Sequence, residues 1–486
     1  MPQAGFIDGA FVTGEGATLA VQDPSTEEIF EELPGLSGTQ VEQAILSSRR
    51  AFDSGVWSQL PAQARAAKLN EFLEALSRRS PQLTDIVMRE AGCPKFSPAM
   101  GSQIQTPIRV AGDLLTLFLG MPETEENPIP LAHRVTPHGS LIQSHRRFTP
   151  MGVVAGISAY NFPIMTALMK IVPALITGNT IVMRPSPLTP LSHLILGEAA
   201  QEAGLPAGVL NIVLEAGLEG GQIMSTHEAV DFVSFTGSTG VGSQIMAQAA
   251  PTMKRVQLEL GGKSAQIFLP DSVAGAAAGA AQVCTAHAGQ GCALGTRIFV
   301  PEESKAEVIA QTRELLSSLT VGRADDPATK QGPVISAGQR DRCQHFTDAA
   351  VAAGGSVITG GKRPAHLDKG FFFEPTALDL PDNANPAAQE EIFGPVVGVI
   401  GYKSIDHAIE MANDSKFGLS GYVVGKDKAQ ALGVALRIKS GTVNVNSGMP
   451  SAYVSAGGQR MSGVGRERGV EGLRIFQSQS NINLGA

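Results

Sequence analysis

Aromatic side chains are scarce in this 486-residue chain, at 5% of residues with a single tryptophan. That scarcity disfavours a stacking surface for single-stranded nucleic acid. Positive charge is also short. Thirty-seven Lys and Arg face 45 Asp and Glu, a formal net charge of −8, which argues against a nucleic-acid or anionic-membrane partner. Cysteine is limited to Cys93, Cys284, Cys292 and Cys343. They form no CxxC pair and no zinc-ligand spacing, so no metal site is expected and free thiols in a reducing compartment are. The opening residues MPQAGFIDGAFVTG lack the basic region and apolar run of a secretory signal, and a cytoplasmic location is expected. No long unbroken apolar run occurs either. The longest apolar region, residues 151–185, is interrupted by Asn161, Pro163, Lys170, Pro173 and Asn179, so it reads as a buried core segment and not a membrane span.

What is present describes a folded, enzyme-sized chain. A content of 43% hydrophobic and 17% charged residues is that of a globular protein, and the length suits two or three domains. The first quarter reads as helices. Ser37 caps one whose apolar residues Val41, Ala44, Ile45, Ala51 and Phe52 share a face. Pro61 opens a second, and a third, Leu83 to Glu90, stops at Gly92. From residue 151 strands and helices alternate: GVVAGIS, TIVMR, VLNIVL, DFVSFT and VQLEL are short β-rich runs, with helical stretches at 162–176 and 190–203. Such alternation implies parallel pairing in a doubly wound α/β domain. After Gly261–Gly262 a second α/β set begins with SAQIFLP, RIFVP, EPTALD, VVGVIGY, GYVVG and TVNVN. Two polar, strand-like pieces fall outside both halves: HRVTPHGSLIQSHRRF, a hairpin around Pro137–Gly139, and LRIFQSQSNINL. Each suits either another subunit's sheet edge or a local flap.

Chemistry concentrates in a few stretches. Cys292, in AHAGQGCALGTRIFV, has small neighbours, Gly291 and Ala293, that leave room for a carbonyl. Glu259, in VQLELGGK, precedes a glycine pair that can bend the chain sharply. A thiol served by a carboxylate suits capture of a carbonyl and its later release by activated water. FTGSTGVG places Gly237, Gly240 and Gly242 between a strand and a helix, which suits a phosphate at a helix N-terminus. Its GxxGxG spacing is not the usual dinucleotide fingerprint.

Six stretches occur in fixed order: TPMGVVAGISAYNFPIMTALMKIVPALITGNTIVMRPSPLTPL, FTGSTGVG, LELGGK, GQGC, EEIFGPV and GGQRMSGVGRERG. Together they resemble the aldehyde dehydrogenase superfamily, from about residue 5 to the C-terminus. The resemblance implies a Rossmann-type parallel-sheet cofactor domain from residues 1–123 and 147–257, and a second α/β catalytic domain from 258–459. It further implies small β oligomerisation segments at 124–146 and 460–486, hence a homodimer or homotetramer. By the same resemblance Cys292 is the nucleophile, Glu259 the general base and Asn161 an oxyanion donor. Lys170 lies behind the site, to relay protons or to pair with Glu391 or Glu259. The cofactor, NAD or NADP, is expected against Ile157, Tyr160, Arg184, Ser186, Gly217, Phe235, Gly237, Ser238, Leu260, Glu391 and Phe393. Retention of Glu259 implies hydrolysis to a free acid; branches that acylate coenzyme A generally lack it.

Departures from the family pattern sharpen these expectations. Ala159–Tyr160–Asn161 stands where PWN is common. RPSP at Arg184–Pro187 replaces a frequent KPSE, so the carboxylate that would bind a ribose 2′-hydroxyl and repel a 2′-phosphate is missing. Arg184 then either admits NADP by pairing with that phosphate or simply replaces a lysine on the ribose. Phe162, Met165, Thr166, Met169, Ala286, Gly291, Ala293, Leu294 and Ala456 fall at pocket positions. Their small or flexible side chains, with no arginine among them, imply an uncharged, bulky or long apolar aldehyde. The rivals are a non-catalytic protein on the same scaffold, an acylating enzyme and a semialdehyde dehydrogenase.

Overall fold

In a computed structural model, which describes residues 3–447 and 451–485, all five of the first β-rich runs are strands. Val153–Ile157, Thr180–Arg184, Leu210–Val213, Phe232–Thr236 and Arg255–Glu259 lie parallel, each paired to its neighbour. Numbered along the chain, their spatial order is 3-2-1-4-5. The first two are buried along their whole length, as expected of β-branched runs covered by helices on both faces. The sheet grows to eight strands. Gly5–Ile7 and Ala10–Val12 add as an antiparallel hairpin beside Leu210–Val213, and Gly463–Val464 pairs with the last strand.

The covering helices form where their caps predict. Ser37 makes a full capping box with Gln40 at the start of Gly38–Asp53, satisfying two of the orphan N–H groups of the first turn. Pro61 precedes Ala62–Arg78, and Ser80–Ala91 ends on Gly92 in the left-handed conformation. The helical reading of the first quarter fails before residue 37. Thr18–Gln22 and Ile29–Pro34 form a separate two-stranded sheet, and the first hairpin turns through Asp8 and Gly9, both with positive φ. That is the geometry of a two-residue turn matched to strand twist.

The second set of runs builds a seven-stranded sheet in the order 356–359, 376–379, 396–402, 297–301, 265–268, 420–424, 442–445. All pairs are parallel except the first. This sheet has its own apolar clusters, distinct from the cluster around the first sheet.

A third sheet joins Thr124–Glu126, Gln143–Pro150 and Gln477–Leu484. Thr136–Ser140 does turn the chain, with a bridge between Val135 and Leu141. The long strand that follows pairs on one side with Thr124–Glu126, across this turn, and on the other with 477–484, in register over eight residues. Of residues 460–486, only Gln477–Leu484 enters this sheet, while Gly463–Val464 belongs to the first.

Candidate active site

In a sheet of order 3-2-1-4-5 the connections leave strands 1 and 4 in opposite directions, which opens a crevice at their carboxyl ends. The chain places its chemistry along that edge. Ser158–Asn161 follow strand 1, Arg184 ends strand 2, Glu215 follows strand 3, Gly237–Ser238 follow strand 4, and Glu259 ends strand 5.

Asn161 is buried and held from both sides. Its carbonyl accepts from Gln103 Nε2 at 2.8 Å, and its own Nδ2 donates to the Gln290 carbonyl at 2.8 Å. One Nδ2 hydrogen is thereby used for positioning and one is left. Gln290 is the hub of the cysteine loop: its Oε1 accepts from Ile335 N at 2.9 Å and its Nε2 donates to the His287 carbonyl. The loop is strained just before the thiol. His287 and Ala288 take φ of 53° and 52°, and a non-glycine residue pays for that conformation. Beyond the thiol, Tyr422 Oη donates to the Ala293 carbonyl at 3.0 Å. Cys292 itself is half-buried. Burial pushes its thiol up to about 12, assisted by the carboxylates of Glu391, Glu259 and Glu467. The other three cysteines are fully buried.

Two glycines let the end of strand 5 approach this loop. A Cβ on Gly262 would lie 2.7 Å from the Cys292 carbonyl oxygen, and one on Gly261 would overlap Glu391 Oε2. Glu391 in turn accepts from Gly262 N at 2.9 Å. Glu259 has a buried Oε1 with no hydrogen-bond partner. Its carboxyl is held well above the usual range, first by burial and then by the nearby charge of Glu467, against the opposing pull of Lys170, Arg466 and Arg468. Lys170 pairs with neither carboxylate expected from the sequence. Its Nζ donates to Glu467 Oε1 at 3.0 Å and to Thr236 Oγ1 at 2.7 Å. Glu467 was not singled out in the sequence, although it lies inside GGQRMSGVGRERG. Flanked by two arginines, it reads as a solvated charge until the backbone pairing of Ala456 with Glu467 folds it inward.

The candidate cofactor residues line the same edge. Ser238 caps the eleven-residue helix Thr239–Ala249, its Oγ accepting from Val241 N at 3.3 Å. A Cβ on Gly240 would meet nothing within 4 Å, so the first turn of this helix borders open space. This is a fit for a phosphate. Ile157, Phe235 and Leu260 are buried wall residues, and the rings and methyls of Phe235 and Leu260 close on Gly237 and Gly242. Ser186 Oγ accepts from Leu188 N. Tyr160 stacks edge-on against Phe393, centroids 5.9 Å apart, with Phe393 at φ 62°. Arg184 is not free. Its Nε donates to Glu215 Oε2 at 2.7 Å and its Nη2 to the Gly217 carbonyl, in a pair whose side chains are 6% and 7% exposed.

Of the candidate pocket residues, Phe162, Met165, Thr166, Ala286, Gly291, Ala293, Leu294 and Ala456 are partly exposed, whereas Met169 is buried in the core of the first sheet. Thr166 spends its hydroxyl on the Phe162 carbonyl at 3.0 Å. Phe162 packs edge-on against His287, which is buried with both ring nitrogens unpartnered.

Comparison with known proteins gives the family and the fold. The chain matches the aldehyde dehydrogenase family over residues 11–482. It is 36% identical to geranial dehydrogenase from Castellaniella defragrans over 482 residues, 99% of this chain and 98% of that one. The structure of betaine aldehyde dehydrogenase from Staphylococcus aureus in complex with NAD+ superposes with a TM-score of 0.91 at 35% identity, covering 99% of this chain and 95% of that one. A variant of aldehyde dehydrogenase C from Pseudomonas syringae, complexed with NAD+ and octanal, gives 0.90 at 33% identity, covering 99% and 96%. With both sheets, the crevice and the six ordered stretches in place, the chain belongs to the aldehyde dehydrogenase family.

Proposed function

We propose that this enzyme oxidises an uncharged, bulky or long apolar aldehyde to its carboxylic acid through a thioester on Cys292. The observation that carries this reading is the convergence of Cys292, Asn161 and Glu259, whose Oε1 is buried without a partner, at one edge of the first sheet. Cys292 sulfur bonds to the aldehyde carbon, and its proton must leave as it does so, because its surroundings disfavour a standing thiolate. The ionised Glu259 carboxylate is the acceptor at hand. Oxygen charge that develops is met by the second Nδ2 hydrogen of Asn161 and the backbone N–H of Cys292, a donor set contributing roughly 3–4 kcal/mol per donor to barrier lowering. Bound NAD or NADP supplies the hydride acceptor. Ser238 and the helix start it caps would hold the pyrophosphate, Glu391 and Phe393 the nicotinamide ribose, and Arg184, Ser186 and Gly217 the adenosine. Ile157, Tyr160, Phe235, Gly237 and Leu260 would wall the crevice. Once the Lys170–Glu467 pair has passed the thiol proton outward, Glu259 takes a proton from the water that attacks the thioester; the carbon–sulfur bond breaks, and the departing Cys292 sulfur recovers a proton as the free acid leaves.

Several features support the substrate class. The lining is small or apolar, and the nearby arginines, Arg466 and Arg468, are balanced by Glu259 and Glu467. A quaternary ammonium aldehyde calls for an aromatic cage, and Ala286 and Ala456 offer none. The one tryptophan, Trp57, is buried elsewhere, donating to the Leu175 carbonyl. The relatives named for geranial and complexed with octanal act on or bind apolar aldehydes of this kind.

The three-stranded sheet supports assembly into a homodimer or a tetramer of dimers. Gln477–Leu484 is exposed over seven of its eight residues, and an unpaired strand edge of that length invites a second copy. Among the described residues no helix is long and apolar enough to cross a membrane, and the free thiols support a cytoplasmic setting.

Initial rates with octanal, geranial, betaine aldehyde and succinic semialdehyde, under NAD and NADP and with or without coenzyme A, test the reading. Turnover should favour octanal and geranial, be indifferent to coenzyme A, and vanish in Cys292→Ser. Activity surviving that substitution, or a strict need for coenzyme A, overturns the mechanism.

A further inference from the structure

We infer that Glu215 sets the cofactor preference of this enzyme, by locking Arg184 away from the 2′-position of the dinucleotide and so selecting NAD over NADP. The inference rests on the dinucleotide reading of the crevice given above. In a sheet of this order, the residue at the end of strand 2 faces the adenosine ribose. An acid there binds the 2′-hydroxyl, while a free arginine nearby accommodates a 2′-phosphate. This chain has Arg184 at that place and Pro187 three residues on. On sequence alone that pattern invites the phosphate.

The structure answers with a carboxylate from the next strand. Glu215, two residues beyond Leu210–Val213, is 6% exposed, and both of its oxygens are engaged. Oε1 accepts from Gly220 N at 2.7 Å, at the start of the helix Glu219–Thr226, and Oε2 accepts from Arg184 Nε at 2.7 Å. The approach requires glycine, because a Cβ on Gly220 would sit 2.7 Å from Glu215 Oε2. A second tether runs from Arg184 Nη2 to the carbonyl of Gly217, the residue expected beside the adenine. Gly221 closes over the guanidinium, with a Cβ there 3.6 Å from Arg184 Nε.

The pair is therefore neutral as a unit, and its arginine is fixed from two directions inside the wall. A guanidinium attracts a dianionic phosphate through unspent charge and a free two-pronged donor face. Here Glu215 cancels the charge, and the tethers on Nε and Nη2 occupy the side-on fork. The two hydrogens of Nη1 and the second of Nη2 make no hydrogen bond among the described residues; with their charge neutralised by Glu215 they suit a hydroxyl better than a phosphate dianion. Glu215 thus does from strand 3 what an acid after strand 2 does elsewhere, though through the arginine and not by touching the ribose.

Binding, not turnover, is the test. Dissociation constants for NAD and NADP are measured by titration calorimetry for the wild type, Glu215→Gln and Arg184→Met/Glu215→Gln, each at low and high salt. The wild type should bind NAD at least tenfold more tightly, with NADP affinity no more salt-dependent than that of NAD. Glu215→Gln should narrow the ratio tenfold or more by tightening NADP, the gain fading at high salt and disappearing in the double variant. If Glu215→Gln does not fold, the wild-type salt series decides alone: equal affinities, or a steeper salt loss for NADP that reveals a working ion pair, overturn the proposal. An unchanged ratio in a folded Glu215→Gln protein also overturns it. Failure of the wild type to bind either nucleotide would instead overturn the dinucleotide reading, and the proposal with it.

Discussion

Two buried acid–base clusters stand at the carboxyl edge of one sheet and are built on opposite principles. At strands 2 and 3, Arg184 and Glu215 satisfy each other, and every oxygen of the acid has a donor. At strand 5, Glu259 keeps a buried oxygen with no partner while Lys170 is spent on Glu467. A satisfied buried pair holds geometry and is costly to break; an unsatisfied carboxylate costs stability for as long as it stays charged. A chain retains such an acid where a proton must move. The contrast separates groups that position from groups that react, even though all are buried and charged.

The largest effect expected within this contrast is on turnover. Glu259→Gln should lower steady-state kcat by about 10²–10⁴-fold, the range for loss of a positioned general base. The burst of reduced cofactor in the first turnover should slow as well, because Glu259 also accepts the Cys292 proton during capture. The sign of the pH dependence follows from the raised carboxyl. Glu259 is protonated below its elevated pKa, so the active base, and with it the hydrolytic rate, grows as pH rises through that raised pKa; the substitution should flatten that rise. Asn161→Ala removes a fixed donor and should cost about 10²–10³-fold in kcat. KM should move less, since the interaction strengthens as oxygen charge develops.

Stability should invert the ranking. Glu215→Gln leaves Arg184 charged, buried and unpaired, a change that costs about 3–5 kcal/mol, and thermal unfolding should begin several degrees lower. Glu259→Gln removes a buried carboxyl that nothing satisfies and should leave the melting temperature unchanged or higher. Equal losses in the two variants would break the distinction between positioning and reacting groups.

How far the chain is legible before folding follows the same division. All five strands of the parallel core and the six runs of the second sheet are readable, because a strand buried on both faces must be written in β-branched residues. Ser37 and Gly92 mark helix ends by local chemistry alone. The hairpin at Asp8–Gly9 carried an equally local signal, the Asp-Gly pair between apolar runs, and was missed because its strands are only three residues long. The partners of charged groups were not legible. Lys170 and Glu467 are 297 positions apart, and Glu215 meets Arg184 only once strands 2 and 3 lie side by side. A motif names a residue type; which donor satisfies it is a property of the sheet order.

The smallest effect probes the reacting cluster through its neighbour. Glu467 raises the Glu259 carboxyl by like charge and at the same time occupies Lys170. Glu467→Gln removes the repulsion and frees the ammonium for Glu259. Both changes favour the carboxylate, so its pKa should fall. The rise of hydrolytic rate with pH should therefore begin at lower pH, while the plateau falls modestly for want of a proton exit. A merely structural role for Glu467 would lower activity equally at every pH, and a pH profile of pre-steady-state thioester hydrolysis distinguishes the two. A shift toward higher pH would mean that Lys170 serves Glu259 only through Glu467, and that the cluster acts as one relay instead of a base with a neighbour.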